Sequence, residues 1–281
     1  MKTILLPTDF SQNSINAIKY AAKLFEHLEC EFYIMNVQKA SSFISDDMMT
    51  VSSSATIYNT LVDAAQKSIS NIILQMEKKN KNDLHTYHSI VDYDNFIDSI
   101  NQTCENNNVD LIVMGTKGAS GLSKVLFGSN TVRVIQRCKT PVLAIPDNCI
   151  FKSLDTIAFT SSFSTYYTIE NLKLLKDLAL LHKSKLDILH VIEENNFEVN
   201  LTQNIDFFQK HFTKVEYDRI VSNDKNIYDT IHDFLLENNI KMITMLAKKH
   251  SFLERLLNKH AVETFAFKID IPLLVLKQFS I

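Results

Sequence analysis

The residues best suited to ligand chemistry lie in one short stretch that holds every glycine of the chain. The 281-residue sequence has four glycines, whereas an average usage of about 7% would place roughly twenty along such a chain. They are Gly115, Gly118, Gly121 and Gly128. Glycine permits positive φ values and a close approach of the backbone to another group, and elsewhere it weakens regular structure. This loop is therefore expected to have a special backbone task.

The flanks of the glycine-rich loop indicate what that task is. An apolar run over Val109–Met114 predicts a buried strand before it, and a helix is predicted to begin near Ser129. Hydroxyl residues, Thr116, Ser129 and Thr131, stand at its two ends. A glycine-rich turn between a strand and a helix N-terminus is how α/β folds hold phosphate groups. The pattern favours an anion or nucleotide site; a structural corner without a ligand is the alternative.

Asp9 is the second candidate ligand group. It follows the apolar strand pattern of Lys2–Thr8, so it is expected at the carboxyl end of the first strand, facing a ligand. Capping of the next helix together with Ser11 is the alternative role for this carboxylate. In the loop, Lys117 and Lys124 either neutralise phosphate charge or are solvated surface residues.

Composition excludes several classes of protein. A net charge of −3 argues against a generic nucleic-acid binder, and no apolar run approaches the roughly 20 residues that span a membrane. The first apolar segment is too short for a signal peptide. The four cysteines, Cys30, Cys104, Cys138 and Cys149, lack metal-ligand spacing. We therefore expect reduced thiols in a cytoplasmic protein, with no metal site and no assignable catalytic group.

Strand and helix patterns alternate along the first half of the chain. Helical spacing of apolar residues separates the predicted strands, and residues 39–56 are predicted to be a mobile loop before a long helix. The predicted strands are Lys2–Thr8, Glu31–Val37, His85–Val91, Val109–Met114 and Pro141–Ile145. Such alternation implies right-handed crossovers and a parallel sheet with helices on both faces.

The second half repeats this pattern in shorter form. Asp155–Ser164 parallels Lys2–Ser11 at a shift of 153, and Asn226–Ile231 parallels Asn95–Ile100 at a shift of 131. The unequal shifts predict a shorter loop and helix before the third strand of the second copy. We expect two domains, 1–148 and 149–281, each of a common domain size.

The second copy lacks the glycine-rich loop. At the shift of 131 its four glycine positions hold Leu246, Lys249, Phe252 and Lys259. Side chains there prevent the backbone from approaching a phosphate as glycine does. We therefore predict one nucleotide site, in the first half. A small basic pocket around His250 and His260 is an alternative, less favoured than a solvated surface.

Three segments resemble one known family. The spacing Gly115-x2-Gly118-x9-Gly128-Ser129 is similar to the Gly-x2-Gly-x9-Gly-(Ser/Thr) motif of the universal stress proteins. The segments Ile4–Ser11 and Thr140–Pro146 also resemble the beginning and end of that family's domain. The resemblance covers the first half, and the whole chain resembles the tandem-repeat members.

The resemblance implies a fold and a ligand. It implies two Rossmann-like domains of the adenine nucleotide alpha hydrolase type, each with a five-stranded parallel sheet of order 3-2-1-4-5. A nucleotide would lie across the carboxyl ends of the first and fourth strands. Asp9 would contact the adenine or ribose end, Val37 would pack on adenine, and the glycine loop would surround the phosphates. The implied site residues are Pro7, Thr8, Asp9, Val37, Met114, Gly115, Gly118, Gly128, Ser129, Asn130 and Thr131.

The function implied is a cytoplasmic, nucleotide-dependent stress-response regulator or sensor. It would bind ATP, or AMP or ADP, with Mg²⁺ on the phosphates, and turn it over slowly or not at all. The two domains would pair through Val142–Ile145 and Leu273–Leu276 as a pseudo-dimer; a homodimer and an unidentified protein partner stay open.

Two alternatives remain at this point. One is a slow ATPase or adenylate-transfer enzyme on a related fold. The pyrophosphatase loop Ser-Gly-Gly-x-Asp-Ser is absent, because Pro7–Ser11 contains no glycine. The other is a nucleotide-free interaction protein in which the glycine loop is only structural.

Overall fold

The fold was obtained as a computed structural model that describes most of the chain. The described residues are 1–38, 51–79, 81–116, 128–161, 166–192, 201–221, 227–247 and 270–278. They form two compact units, the first ending at Ile150 and the second beginning at Phe151. Among the described residues, no helix combines the length and apolarity that crossing a bilayer requires.

The first unit alternates strands and helices as the sequence predicts. Its strands lie in the order β3-β2-β1-β4-β5, and each neighbouring pair is parallel. The elements are β1 (Lys2–Pro7), α1 (Gln12–Leu24), β2 (Cys30–Val37), α2 (Val51–Lys79), β3 (His85–Asp92), α3 (Phe96–Asn106), β4 (Leu111–Gly115), α4 (Ser129–Arg137) and β5 (Val142–Ile145). The predicted strand order is confirmed.

Burial on both faces explains why the central strands are so apolar. Ile4, Leu5 and Leu6 of β1 are all fully buried, as expected for a parallel strand covered by helices on each side. β4 is likewise buried along its whole length. A strand with one face in water would instead alternate apolar and polar residues.

The long helix α2 begins earlier than the sequence analysis predicts. Residues 51–56, predicted as loop, belong to a helix that starts at Val51. The serines there have weak helix propensity, and the later, strongly periodic part of the helix overrides it. Ala65, Ile69, Ile72 and Met76 are buried at helical spacing. Residues 39–50 of the predicted loop lie outside the described residues.

The second unit repeats the fold with a shorter second helix. Its strands lie in the order β10-β9-β6-β7-β8, which is again fifth, fourth, first, second and third in chain order. The elements are β6 (Thr156–Ser161), α5 (Ile169–His182), β7 (Lys185–Ile192), α6 (Leu201–His211), β8 (Val215–Val221), α7 (Ile227–Glu237), β9 (Met242–Ala247) and β10 (Leu273–Lys277). As predicted, α6 is shorter than α2, with 11 residues against 29.

In the first unit the strand order reverses between β1 and β4. β1 continues to β2 on one side, whereas the chain returns after β3 to place β4 on the other side. Ile4 pairs with Leu111 and Leu5 with Ile112. Their carboxyl ends, Pro7 and Gly115, therefore flank the point where open α/β sheets form a ligand crevice.

Candidate functional site

The candidate site lies where β1 and β4 end and where α1 and α4 begin. α1 starts at Gln12 and α4 at Ser129, so two helix N-termini follow neighbouring strands. Helix N-termini present unsatisfied backbone N–H groups and a partial positive charge. This arrangement suits an anionic group at the carboxyl edge of the sheet.

The turn after β1 is held by its own side chains. Asp9 is exposed, and its Oδ1 accepts a hydrogen bond from the backbone N–H of Ser11 at 3.0 Å. Ser11 is the N-cap of α1, and its side chain accepts from the N–H of Ser14. Between them, Phe10 has a left-handed backbone with φ of 63°. Asp9 therefore has the local turn role that the sequence analysis weighed, while its carboxylate remains at the surface of the site.

Thr8 points inward and supports this turn. It is buried, its Oγ1 lies 2.8 Å from Ser14 Oγ, and the same oxygen accepts from the N–H of Phe10. The carbonyl oxygen of Thr8 accepts a 2.7 Å bond from Asn36 Nδ2 on β2. The polar groups of Thr8 are thus committed to the protein, and the residue acts as a support for Asp9.

The end of β4 is braced from α4. Thr131 is 2% exposed and donates its hydroxyl proton to the carbonyl oxygen of Gly115 at 2.9 Å. The next residue, Thr116, donates its N–H to Ile145 and accepts at its carbonyl from the N–H of Gly128. These bonds fix the two ends of the glycine-rich loop to each other and to β5.

The first turn of α4 offers groups that can meet a ligand. Gly128 is its N-cap and makes no side-chain capping bond, while Ser129 and Asn130 are both exposed. Their side chains are exposed, whereas the hydroxyl of Thr131 is buried and donates to the Gly115 carbonyl. A phosphate at this helix end would find backbone N–H groups, one hydroxyl and one amide.

Most of the predicted site residues lie at this one edge. Pro7, Thr8 and Asp9 follow β1, Val37 ends β2, and Met114 and Gly115 end β4, with Gly128–Thr131 opening α4. Met114 is 6% exposed, and Val37 is half-buried. Gly118 and Gly121, with the loop lysines 117 and 124, lie outside the described residues.

The second unit keeps the same supports with different residues. Ser161, which ends β6, donates from its Oγ to Tyr167 OH at 3.1 Å, matching the Thr8–Ser14 pair six residues apart. His190 Nδ1 lies 3.4 Å from the carbonyl oxygen of Ser161, at the place where Asn36 Nδ2 donates to the Thr8 carbonyl at 2.7 Å. Leu246 stands at the strand position of Gly115. Lys249, Phe252, Lys259 and His260 lie outside the described residues.

Sequence reasoning missed the supporting residues Asn13, Ser14 and Asn36. The available signals were polar residues where the pattern demands apolar ones. Asn36 interrupts the apolar run of β2, and its counterpart His190 interrupts β7 in the same register. Asn13 and Ser14 occupy the first turn of α1 and are buried there.

Two buried cysteines have thiols of low reactivity. None of the four cysteines forms a disulfide. Burial raises the pKa of Cys30 to about 12 and that of Cys104 to about 11. Thiols with such pKa values stay protonated at neutral pH and are poor nucleophiles and metal ligands. No group of three or more potential metal ligands comes together among the described residues.

Comparison with known proteins agrees with the fold. Universal stress protein MJ0531 of Methanocaldococcus jannaschii is 29% identical over 151 residues, which is 51% of this chain and 81% of the relative. Universal stress protein MJ0577 of the same organism is 27% identical over 153 residues, 51% of this chain and 94% of the relative. A crystal structure of a universal stress protein from Archaeoglobus fulgidus superposes with a TM-score of 0.65 at 18% identity. It covers 98% of this chain and 96% of its own, so the likeness in fold extends over both units.

The family assignment rests on the first unit. The profile described as Universal stress protein family matches residues 1–146, more than half of the chain. This span contains β1 to β5 and every residue of the candidate site. The chain therefore belongs to the universal stress protein family.

Proposed function

We propose that the first unit binds an adenine nucleotide and that the chain is a tandem, nucleotide-dependent stress-response regulator of the cytoplasm. The observation that carries this proposal is the pairing of β1 with β4 at the point where the strand order reverses. Exposed polar residues follow both strands: Asp9 after β1, and Ser129 and Asn130 at the start of α4, which follows β4. A nucleotide has a hydrophobic base and an anionic tail, and such a crevice with a helix N-terminus suits both.

The proposed pose runs from β2 to α4. Val37 packs on adenine, Asp9 accepts hydrogen bonds from the adenine or ribose end, and the ribose lies near Met114 and Gly115. The phosphates meet Gly118 and the α4 N-terminus at Gly128–Asn130. Thr8 and Thr131 do not contact the nucleotide in this pose. They hold the ends of β1 and β4 in place, since their hydroxyls are bonded within the protein.

We propose that Mg²⁺ enters with the phosphates and neutralises part of their charge. The exposed donor that fits it best is the hydroxyl of Ser129, because Mg²⁺ prefers oxygen ligands and keeps several waters. The nucleotide is ATP, or AMP or ADP, and its turnover is slow or absent. Nucleotide binding would change the surface around the glycine-rich loop, and a protein partner would bind that surface.

We propose that the second unit binds no nucleotide. Leu246 replaces the glycine that ends the fourth strand, and the large side chain of Tyr167 replaces Ser14 at the turn after the first strand. The two units would pair through Val142–Ile145 and Leu273–Leu276, which protects the edges of both sheets. Amide hydrogen exchange on the whole chain tests this pairing. Rapid exchange of those amides of Val142–Ile145 that point away from β4 would exclude it.

The decisive experiment identifies what the purified protein carries. The chain is denatured and the released small molecules are identified and quantified by mass spectrometry. One adenine nucleotide per chain supports both parts of the proposal, and two per chain refute the assignment of the second unit. No nucleotide, followed by no shift in melting temperature with MgATP, favours the nucleotide-free interaction protein.

A double variant tests the site residues. Asp9→Ala combined with Gly118→Lys should abolish nucleotide binding with little loss of folding. The matched control is Asp83→Ala, which removes an exposed carboxylate at the amino end of β3, far along the sheet from the site. Unchanged affinity in the double variant would show that the site is misplaced.

A further inference from the structure

We infer that Asn13 is the positioning residue of the nucleotide site: it fixes the end of β4 and, through it, the phosphate end of the ligand. This inference rests on the proposed function and adds a residue outside the glycine-rich motif. Asn13 lies on α1, whereas the phosphates are proposed to lie at α4. Its effect on binding is therefore indirect, and it runs through Gly115.

Asn13 occupies the space that a side chain at residue 115 would need. An ideal Cβ built on Gly115 would lie 2.7 Å from Asn13 Nδ2, 2.8 Å from its Cγ and 3.1 Å from its Oδ1. Ordinary van der Waals contacts of a Cβ begin at 3.4 Å. A side chain at residue 115 would therefore force the Asn13 side chain to move, whatever a ligand requires of this position.

The helix turn that carries Asn13 is itself held in place. Asn13 is 6% exposed and sits in the first turn of α1, which Ser11 caps. The next residue, Ser14, is bonded through its Oγ to Thr8 Oγ1 at 2.8 Å and to the Ser11 carbonyl at 2.9 Å. The helix end that carries Asn13 is thus tied to the end of β1.

On its other side, Gly115 is tied to α4. Thr131 Oγ1 donates to the Gly115 carbonyl oxygen, and the Gly128 N–H donates to the Thr116 carbonyl oxygen. A shift of Gly115 would therefore move the first turn of α4, where the phosphates are proposed to bind. The positions of Asp9 and Val37 are set by β1 and β2, and a shift of Gly115 on β4 leaves these strands in place. The adenine end of the site would therefore not move.

The test combines a double-mutant cycle with two ligands. Full-length variants carry Asn13→Ala, Gly115→Ala, both changes, or Asn13→Leu, which keeps the shape of the side chain. Melting temperatures are measured without ligand, and affinities for MgATP and for adenosine by calorimetry. Adenosine lacks phosphates, so it reports on the adenine and on the ribose beside Gly115, without the phosphate end.

We expect Asn13→Ala to weaken MgATP binding at least tenfold and adenosine binding by a smaller factor, because adenosine has only its ribose near Gly115. Asn13→Leu should retain most of the MgATP affinity, since it still packs on Gly115. Gly115→Ala should lower both the melting temperature and MgATP affinity. Asn13→Ala should restore much of each loss in the double variant, because the alanine methyl then has room.

Three results would overturn the inference. Additive melting-temperature changes in the cycle would show that Asn13 and Gly115 do not share this space. Equal losses of MgATP and adenosine affinity in Asn13→Ala would show that the residue does not act at the phosphate end. A wild-type chain that binds neither ligand refutes the proposed function itself, whereas normal wild-type binding with an unaffected Asn13→Ala refutes only the role of Asn13.

Discussion

Thr131 and Gly115 are joined by a 2.9 Å hydrogen bond from a side-chain hydroxyl to a backbone carbonyl, although they lie 16 residues apart in the chain. The bond closes the base of the glycine-rich loop, and Thr131 is almost completely buried. A threonine that looks like a ligand residue in the sequence is therefore a structural clamp at this point.

Loss of this clamp should be measurable. Thr131→Val keeps the shape and leaves the Gly115 carbonyl without its donor, so it should cost about 1–3 kcal/mol of unfolding free energy. Urea unfolding followed by circular dichroism measures the change. Thr131→Ser keeps the hydroxyl and is the control, with a smaller loss. If the valine and serine variants were equally stable, the hydrogen bond would contribute nothing to the free energy of unfolding.

Asn36 offers a second test, with the second unit as its guide. Its Nδ2 donates to Thr8 while its Oδ1 accepts from Gln38. Asn36→Asp would oppose a carboxylate to the Thr8 carbonyl and should destabilise the fold by about 1–3 kcal/mol. Asn36→His is the matched control, because His190 makes the corresponding contact to Ser161. Thermal unfolding should rank histidine above aspartate, and the reverse order would refute this account.

The left-handed backbone at Phe10 predicts an unusual preference for glycine. A non-glycine residue with φ of 63° pays a steric cost of about 1–2 kcal/mol. Phe10→Gly should therefore be more stable than Phe10→Ala by about 1 kcal/mol, because both variants lose the same ring. Denaturant unfolding of the pair measures this difference.

The same pair of substitutions at Gln136 gives the control. Gln136 is exposed within α4, where alanine should exceed glycine by about 1 kcal/mol. If alanine were also the better residue at position 10, the backbone there would not be left-handed in solution.

A buried carboxylate in the second unit should make stability depend on pH. Asp187 is 1% exposed, and burial raises its pKa above the usual 3.8, although Lys185 Nζ lies 3.1 Å from its Oδ1. In the window above pH 3.8, the folded chain holds a proton that the unfolded chain has released. The contribution of Asp187 to stability therefore falls as the pH rises through that window.

Asp187→Asn removes this titration. Relative to wild type, the variant should gain stability as the pH rises above 3.8, as measured by urea unfolding at a series of pH values. Glu216→Gln is the control, because its carboxylate contacts the same lysine but is 63% exposed. A variant whose stability relative to wild type fell as the pH rose would contradict the raised pKa of Asp187.

Periodicity predicted the strands well because buried parallel strands are continuous apolar runs. The predicted strands Glu31–Val37 and His85–Val91 match β2 and β3 to within one residue, and the predicted start of α4 at Ser129 is confirmed. Val109, in contrast, was assigned to a strand that begins at Leu111. Element ends depend on hydrogen bonds that hydrophobicity does not report.

The supports of the site could not be predicted in this way. Asn13 and Gly115 are about a hundred residues apart, and their contact exists only because β4 returns beside β1. Thr8 and Thr131 have the composition of ligand residues, and only the fold shows that their hydroxyls are bonded internally. Residue types predicted that the candidate residues meet at one edge of the sheet, while the internal bonds of Thr8 and Thr131 required the geometry.

The end of the first strand is anchored differently in the two units. In the first, the anchor is the small hydroxyl of Ser14. In the second, it is Tyr167, whose ring packs on Phe159 and Phe208 in the hydrophobic core. Freeing the end of β6 requires a ring to leave the core, whereas freeing the end of β1 breaks only short polar contacts. The end of β1 should therefore open as a small local unfolding unit, and the end of β6 only together with its whole domain.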